Sequence, residues 1–458
     1  MPLIAETLAQ FTCELALDVV PAAVRQRAAH LMLDATGIAY ASSTFDFARM
    51  AFEALSTFEP GDCPVIGHAR TLALRDAVTM NGILVHGLDF DDTHLEGVVH
   101  ASASCFPTAL GVAWQKQRSG ADLLVAYIAG MEAAARLGSV ARGELNQIGF
   151  HPTGVIAAFA CALIAGKLEG LSREQLVHAQ GIVLSMAAGT REYSTNGSMT
   201  KRLHPGWAAA CGITAARLAR SGYTGPLTTY EGQFGLYATH LGADLMRWDL
   251  GVATRGLGEI WETARVAIKP HPACQLSIAC IDAAIAISRK HAIEARDVER
   301  IDALVPPHAV KIVCEPLAAR RRPSSPYAAQ FSIPFSVACG LIHGKAGLSE
   351  LERYRDPDIL ALADRVHYSV DPHTGYPRHF SGEVIVTLKN GQRLAHREQV
   401  NRGAADNPVS DAGIVEKYNA NAALALTARH IERVRELILG MQACSDARVI
   451  ARALGERG

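Results

Sequence analysis

The 458 residues carry 44 lysines and arginines against 45 aspartates and glutamates, a formal charge of −1. So even a balance excludes the broad basic surface that binding nucleic acid or an anionic membrane requires. With 49% of residues apolar and 19% charged, most of the chain can bury a core and is not disordered. At 6% aromatic, that core is built mainly from Ala, Leu, Val and Ile.

The opening segment, Met1-Pro2-Leu3-Ile4-Ala5-Glu6, brings an acid early and no basic stretch ahead of a long apolar run, so no secretory signal is expected. The most apolar stretches, such as 155–166, run about a dozen residues before Gly or charge interrupts them. A spanning helix needs ~20, so no membrane partner is expected. Ten cysteines form no CxxC pair, and most stand among Ala, Ile and Val (Cys161, Cys211, Cys280, Cys339). They read as buried reduced thiols, and a cytoplasmic protein is the expectation.

Apolar residues at three and four spacing predict helices over 25–40, 122–137, 153–168, 173–186 and 206–219, the last opened by Pro205. Many are rich in Ala and Gly, which lets helix axes approach closely. After about Ile268 the pattern shortens. Strands are predicted at 303–305, 310–313, 366–370, 383–388 and 392–397, the last two joined through Asn390-Gly391, a strong hairpin signal. Helices near 276–290 and 334–341 belong to the same region, and helical periodicity returns over 411–418, 427–440 and 446–454. The fold predicted is mainly α: a large all-α domain built from both chain ends (1–264 and 404–458) with a smaller α+β lid domain (265–403) inserted. A junction between two such domains is a common place for a ligand cleft.

Four polar clusters interrupt the apolar pattern. The first runs from Asn81 to His94 and holds His86, Asp89, Asp91, Asp92 and Thr93, with His100 six residues on. Three carboxylates in four positions are costly to bury unless cations or hydrogen bonds face them. On a helical turn His86 and Asp89 share a face, as do Asp89 and Thr93. His and Asp at short spacing can bind a divalent ion, but no HExxH and no Cys/His quartet accompanies them, so no metal is assigned. The second cluster, Gly189 to Trp207, offers Gly197 and Ser198 amides in a turn together with Lys201 and Arg202, a plausible carboxylate receptor. It lacks the spacing of a nucleotide-binding Gly-rich loop. The third is Phe150-His151-Pro152-Thr153-Gly154, where Pro152 opens an apolar helix. The fourth, Lys269-Pro270-His271-Pro272-Ala273-Cys274, lies at the predicted domain boundary as a stiff turn. The run Arg320-Arg321-Arg322 reads as a solvated loop.

In this order the clusters resemble the MmgE/PrpD family, which includes 2-methylcitrate dehydratases, cis-aconitate decarboxylases and iminodisuccinate epimerases. The resemblance spans nearly the whole chain: His86-x-Leu88-Asp89-x-Asp91-Asp92-Thr93, His151-Pro152-Thr153-Gly154, Gly197-Ser198-x-x-Lys201-x-x-His204-x-Gly206, Lys269-Pro270-x-Pro272-x-Cys274 and Phe331-Ser332-x-Pro334. It implies the same two-domain layout, a homodimer, no cofactor, and a site holding Asp89, Thr93, His100, His151 and Lys201. Two positions depart from the decarboxylase-like members. Where those carry a histidine and a tyrosine, this chain has Ile278 and Phe335, and His271 stands nearby as a partial replacement for the imidazole.

The members' reactions share one step, loss of a proton or of CO2 next to a carboxylate on a small polycarboxylic acid. That step needs a base titrating near neutrality, an acid, and cations for the carboxylates. The expected assignment makes His100 and His151 the proton-transfer pair, with Asp89 orienting one of them. Lys201 and Thr93 grip the substrate, and Gly197, Ser198, Lys269, His271, Ile278 and Phe335 line its pocket. The leading expectation is a cofactor-independent lyase of the 2-methylcitrate dehydratase type. Decarboxylase and epimerase chemistry on the same groups, and a carboxylate-binding protein with a degenerate site, stand as alternatives.

Overall fold

Apolar residues recurring every three and four positions dictate what dominates this chain, and the computed structural model, which describes residues 2–376 and 379–456, is mainly α. Contacts divide it into two units. The first comprises Met1–Gly87, Asp91–Ala267 and Asp411–Gly458; the second comprises Leu88–Phe90 and Ile268–Ser410.

The first unit is built on helices α1 (Ala22–Ser42), α2 (Leu74–His86), α3 (Ser102–Lys116), α4 (Gly120–Val140), α5 (Pro152–Glu169), α6 (Arg173–Leu184) and α7 (Thr200–Arg220). A short antiparallel pair, β1 (Cys63–Val65) and β2 (His68–Leu72), precedes α2. At the centre, α5 packs on α3, α4, α6 and α7, and every residue of it but Lys167 is buried. Pro152 starts it, since a first-turn residue needs no N–H donor, and Gly170 at φ +75° ends it. Val155, Ile156, Phe159, Leu163 and Ile164 are fully buried, each side chain contributing about 1.5–3 kcal/mol. By length and composition α4 and α5 are apolar enough to cross a membrane, which corrects the dozen-residue runs read from the sequence. They are 100% and 94% buried within the unit, the position an all-round apolar helix demands.

Helix α7 begins at Thr200, five residues before the Pro205 that the sequence marks as its start. Proline inside a helix removes one hydrogen bond, here to the Lys201 carbonyl, and packing makes up the loss. A Cβ on Gly82 of α2 would lie 2.5 Å from Gly206 Cα, and one on Gly206 would lie 2.2 Å from Thr79 O. The two backbones therefore touch, and only glycine fits at either place. Arg202 Nε donates to the Gly87 carbonyl at 2.7 Å, fixing the start of α7 against the end of α2.

In the second unit, α8 (Ile278–Lys290) and α9 (Ile333–His343) pack on each other. A four-stranded sheet runs in the order β4 (Val366–Val370), β3 (Val298–Val305), β5 (Gly382–Leu388), β6 (Arg393–Glu398); only the β3–β4 pair is parallel. Alternation sets which face is buried: Ile301, Ala303 and Val305 of β3 and Val384 and Val386 of β5 enter the core. The β5–β6 hairpin turns through Asn390-Gly391, with Gly391 at φ +84°. The strand expected at 310–313 is instead a wide helical turn closed by Glu315 N–H donating to Val310 O at 3.0 Å. Pro307 opens a helical turn just before it, and both neighbours of β3 are already strands.

At Asp411 the chain re-enters the first unit as α10 (Asp411–Ala422), which packs on α1. A buried ion pair, Lys417 Nζ to Asp34 Oδ1 at 2.7 Å, joins them.

Candidate active site

Helix α2 delivers His86 at its last position, and the loop beyond it folds back so that Asp91, Asp92 and Thr93 are buried. Backbone bonds between Thr93 and Ala267, at 2.9 and 2.8 Å, pin that loop. His86 Nδ1 donates to Asp91 Oδ2 at 2.7 Å with both side chains fully shielded from solvent. Asp92 accepts from Ser102 Oγ at 2.5 Å, and Ser102 in turn accepts from Tyr127 OH at 2.6 Å. Burial pushes the Asp92 carboxyl up to about 7; the Ser102 bond opposes this, and the charges of Asp91 and Asp34 add to it.

His100 is placed by its own N–H on Thr153 Oγ1 (3.0 Å) and by its ring. Nδ1 lies 2.8 Å from the Asp92 carbonyl, 3.1 Å from Thr93 Oγ1 and 3.8 Å from Asp91 Oδ1. A carbonyl can only accept, so Nδ1 carries a proton.

His151 precedes the first turn of α5, and its N–H donates to Gly189 O at 2.9 Å. Its ring completes a row of imidazoles. The His100 and His86 ring centres are 5.0 Å apart, those of His86 and His151 5.4 Å, and those of His151 and His204 5.1 Å. The two histidines assigned from the sequence, His100 and His151, are thus 6.3 Å apart with His86 beside both. Burial holds His151 well below the usual imidazole range, and the neighbouring His86, Lys201, His100 and His204 act in the same direction. His204 is pushed down to about 4 by burial and then by His86 and Lys201. Both rings are therefore neutral at physiological pH, and Lys201 supplies a positive field beside them.

Lys201 and His204 sit three residues apart in α7, on one face. The turn before α7 does not offer its amides: Gly197 N–H donates to Tyr193 O (2.9 Å) and Ser198 N–H to Asn196 Oδ1 (3.1 Å), while Ser198 Oγ meets Thr200 Oγ1. The remaining predicted residues belong to the second unit. There Lys269 Nζ donates to the Asp89 carbonyl at 2.7 Å and lies 3.4 Å from its carboxylate, with Asp89 at φ +52°. His271 meets Asp282 at 2.9 Å, and Arg402 reaches the same oxygen at 2.7 Å. Ile278 and Phe335 are fully buried in that unit's core. The Asp91 carboxylate meets the imidazole row at His86 and at His100.

Three participants, His86, Asp91 and His204, carried no role in the sequence reading. Spacing held the signal for two of them: His204 shares a helix face with Lys201, and Asp91 follows His86 by five residues across a helix end. Among the described residues, His86, Asp91 and His100 place possible metal-ligand atoms within 4.8 Å of one another. Ligand atoms around a zinc ion stand roughly 3.3 Å apart, so closing on an ion would break the His86–Asp91 bond or the His100–Asp92 bond. In the structure the set joins the buried His86–Asp91 contact to the His100 and His151 rings, with the Lys201 ammonium acting on His151.

Comparison with known proteins bears on what such a cluster does. The sequence model of the MmgE/PrpD N-terminal domain matches residues 6–249, and that of the MmgE/PrpD C-terminal domain matches residues 271–442. A cis-aconitate decarboxylase-like protein, oryM, of Aspergillus oryzae is 26% identical over 461 residues, covering 96% of this chain and 94% of the relative. The cis-aconitate decarboxylase of Aspergillus terreus is 26% identical over 465 residues (96% and 93%), and that of Homo sapiens 26% over 450 residues (94% and 90%).

Proposed function

The chain belongs to the MmgE/PrpD family, and from that premise we propose that it is a lyase acting on a small polycarboxylic acid by imidazole-mediated proton transfer. One observation carries the mechanism: His100 and His151, contributed by separate stretches of the first unit, lie with ring centres 6.3 Å apart. His100 is the base, its ring oriented by the bond from Nδ1 to the Asp92 carbonyl. His151 is the acid, delivering a proton from Nε2. Lys201 and the Thr93 hydroxyl hold substrate carboxylates. The nearby ammonium favours the negative charge that builds on the reacting carbon.

Carboxy-lyase chemistry on a cis-aconitate-like acid is the first reading, supported by relatives of that name that span more than nine-tenths of this chain. In that step the C–C bond to a carboxylate breaks, CO2 leaves, and the electron pair left on carbon takes the proton from His151. Ile278 and Phe335 support a second reading, a hydro-lyase of the 2-methylcitrate dehydratase type, because decarboxylase-like members carry an imidazole and a phenol there. His100 then takes the C–H proton and His151 protonates the departing hydroxide as water. The chain is further expected to act as a cytoplasmic homodimer without a cofactor.

NMR in D2O of the purified protein with cis-aconitate, 2-methylcitrate, citrate and iminodisuccinate tests the proposal. Loss of CO2 with one deuterium incorporated supports the first reading, and loss of water supports the second. Exchange with inversion would identify an epimerase, and binding without turnover of any of the four would contradict a lyase.

A further inference from the structure

His151 and His204 meet through like atoms, Nδ1 to Nδ1 at 3.0 Å. A contact of that length between two nitrogens holds one proton, so one ring donates and the other accepts. Both rings are neutral at physiological pH, so their tautomers are complementary: whichever ring keeps its proton on Nδ1 has a bare Nε2, and the other has Nε2–H. The remaining nitrogens differ in surroundings. His151 is 2% exposed, and its Nε2 has no hydrogen-bond partner among the described residues. His204 is half-buried, on the first turns of α7.

The backbone is cut back to allow this contact. A Cβ on Gly189 would lie 3.3 Å from His204 Cγ and Nδ1. One on Gly154 would lie 3.1 Å from His204 Cβ and 2.5 Å from Ala188 O. Gly189 also receives the His151 N–H, so the glycine that leaves room for one ring anchors the other.

We propose that His204 is a positioning residue which donates its Nδ1 proton to His151 Nδ1, thereby holding His151 as the Nε2–H tautomer and keeping the ring neutral as Nε2 gives up its proton. This rests on the reading of His151 as the acid. The step balances. As the His151 Nε2–H bond breaks toward substrate, the His204 Nδ1 proton crosses to His151 Nδ1, and water protonates His204 at Nε2. Both rings end neutral with their tautomers exchanged, and one proton has passed from solvent to substrate. Once product leaves, a solvent proton enters at His151 Nε2, the His151 Nδ1 proton crosses back to His204 Nδ1, and His204 Nε2 gives its proton to water, which resets the pair with one proton delivered.

The test uses the full-length protein labelled with 15N-histidine. In the wild type, His151 should show a protonated Nε2 and a bare Nδ1; in His204→Gln, whose amide keeps bulk but cannot relay, it should show a mixture of tautomers. Turnover by His204→Gln should fall about 10²-fold, the lower end for an acid–base group, with KM within a few-fold of wild type. Added imidazole should restore part of the turnover in His204→Ala. A His151 tautomer unchanged in His204→Gln, or wild-type turnover by that variant, overturns the inference. The underlying reading fails separately: His151→Gln with full activity would remove His151 itself, whereas an inactive His151→Gln beside a fully active His204→Gln would remove only the relay.

Discussion

His86 donates to Asp91 across 2.7 Å with neither side chain reaching solvent, and this buried pair holds the imidazole that lies beside both His100 and His151. Asp91→Asn keeps the shape and removes the charge. The variant should lose about 1–3 kcal/mol of stability, the usual cost of a spoiled buried hydrogen bond, and should lose kcat more than KM. Denaturant unfolding and steady-state kinetics measure the two. Wild-type kcat in a folded variant would take the pair out of the mechanism.

Lys201 lends its charge to both His151 and His204 and is assigned to a substrate carboxylate. A charge-assisted hydrogen bond contributes about 1.5–3 kcal/mol, so Lys201→Ala should cut kcat/KM by roughly 10- to 150-fold. Most of that should appear in KM if the contact is equally strong in ground and transition states. An unchanged KM for every acid turned over would count against the assignment.

Two groups, Asp92 fully buried and His204 half-buried, push the pH dependence of stability in opposite directions. Asp92 is raised to about 7, so the folded chain keeps a proton that the unfolded chain loses near pH 4, and stability falls as pH rises from about 4 to 7. His204 is lowered to about 4. The unfolded chain takes up a proton near pH 6.5 that the folded chain refuses, so its contribution falls as pH drops from about 6.5 to 4. Asp92→Asn removes only the first effect. Stability measured by urea unfolding at pH 5, 6 and 7.5 should improve in the variant relative to wild type as pH rises; a constant difference would refute the protonated Asp92.

The α2–α7 crossing places a Cβ of Gly206 at 2.2 Å from the Thr79 carbonyl. Backbone gives way only by moving the helices, so Gly206→Ala should cost about 1–3 kcal/mol, as overpacking does. It should also displace Lys201 and His204, which ride on α7. Thermal unfolding together with kcat checks this, and an unaffected Tm would show that the crossing is looser than described.

Much of this was legible in residue spacing. Apolar periodicity marks five of the seven helices α1–α7 in the first unit, missing α2 and α3, and Asn390-Gly391 marks the β5–β6 hairpin through a turn that needs positive φ. The misread elements are those where neighbours decide. Val310 to Val313 is β-branched and apolar, yet both edges of β3 are already paired. Pro205 looks like a helix start, yet α7 runs through it because Gly206 rests on α2. The site divides in the same way. His100, His151 and Lys201 stand in motifs, whereas the 3.0 Å contact of His204 with His151 joins residues 53 positions apart, and no local pattern announces it. Asp91 meets His86 because the chain leaves α2 at Gly87 and turns back through a left-handed Asp89, a path that a continuous helical turn would not take.

The most direct test of imidazole-driven lyase chemistry is deuterium delivery by His151→Gln. Turnover of cis-aconitate and 2-methylcitrate in D2O, followed by NMR for wild type and variant at matched folded concentration, should show product formation reduced by at least about 10²-fold in the variant, with the unfolding midpoint little changed. Product and deuterium content equal to wild type would contradict the account.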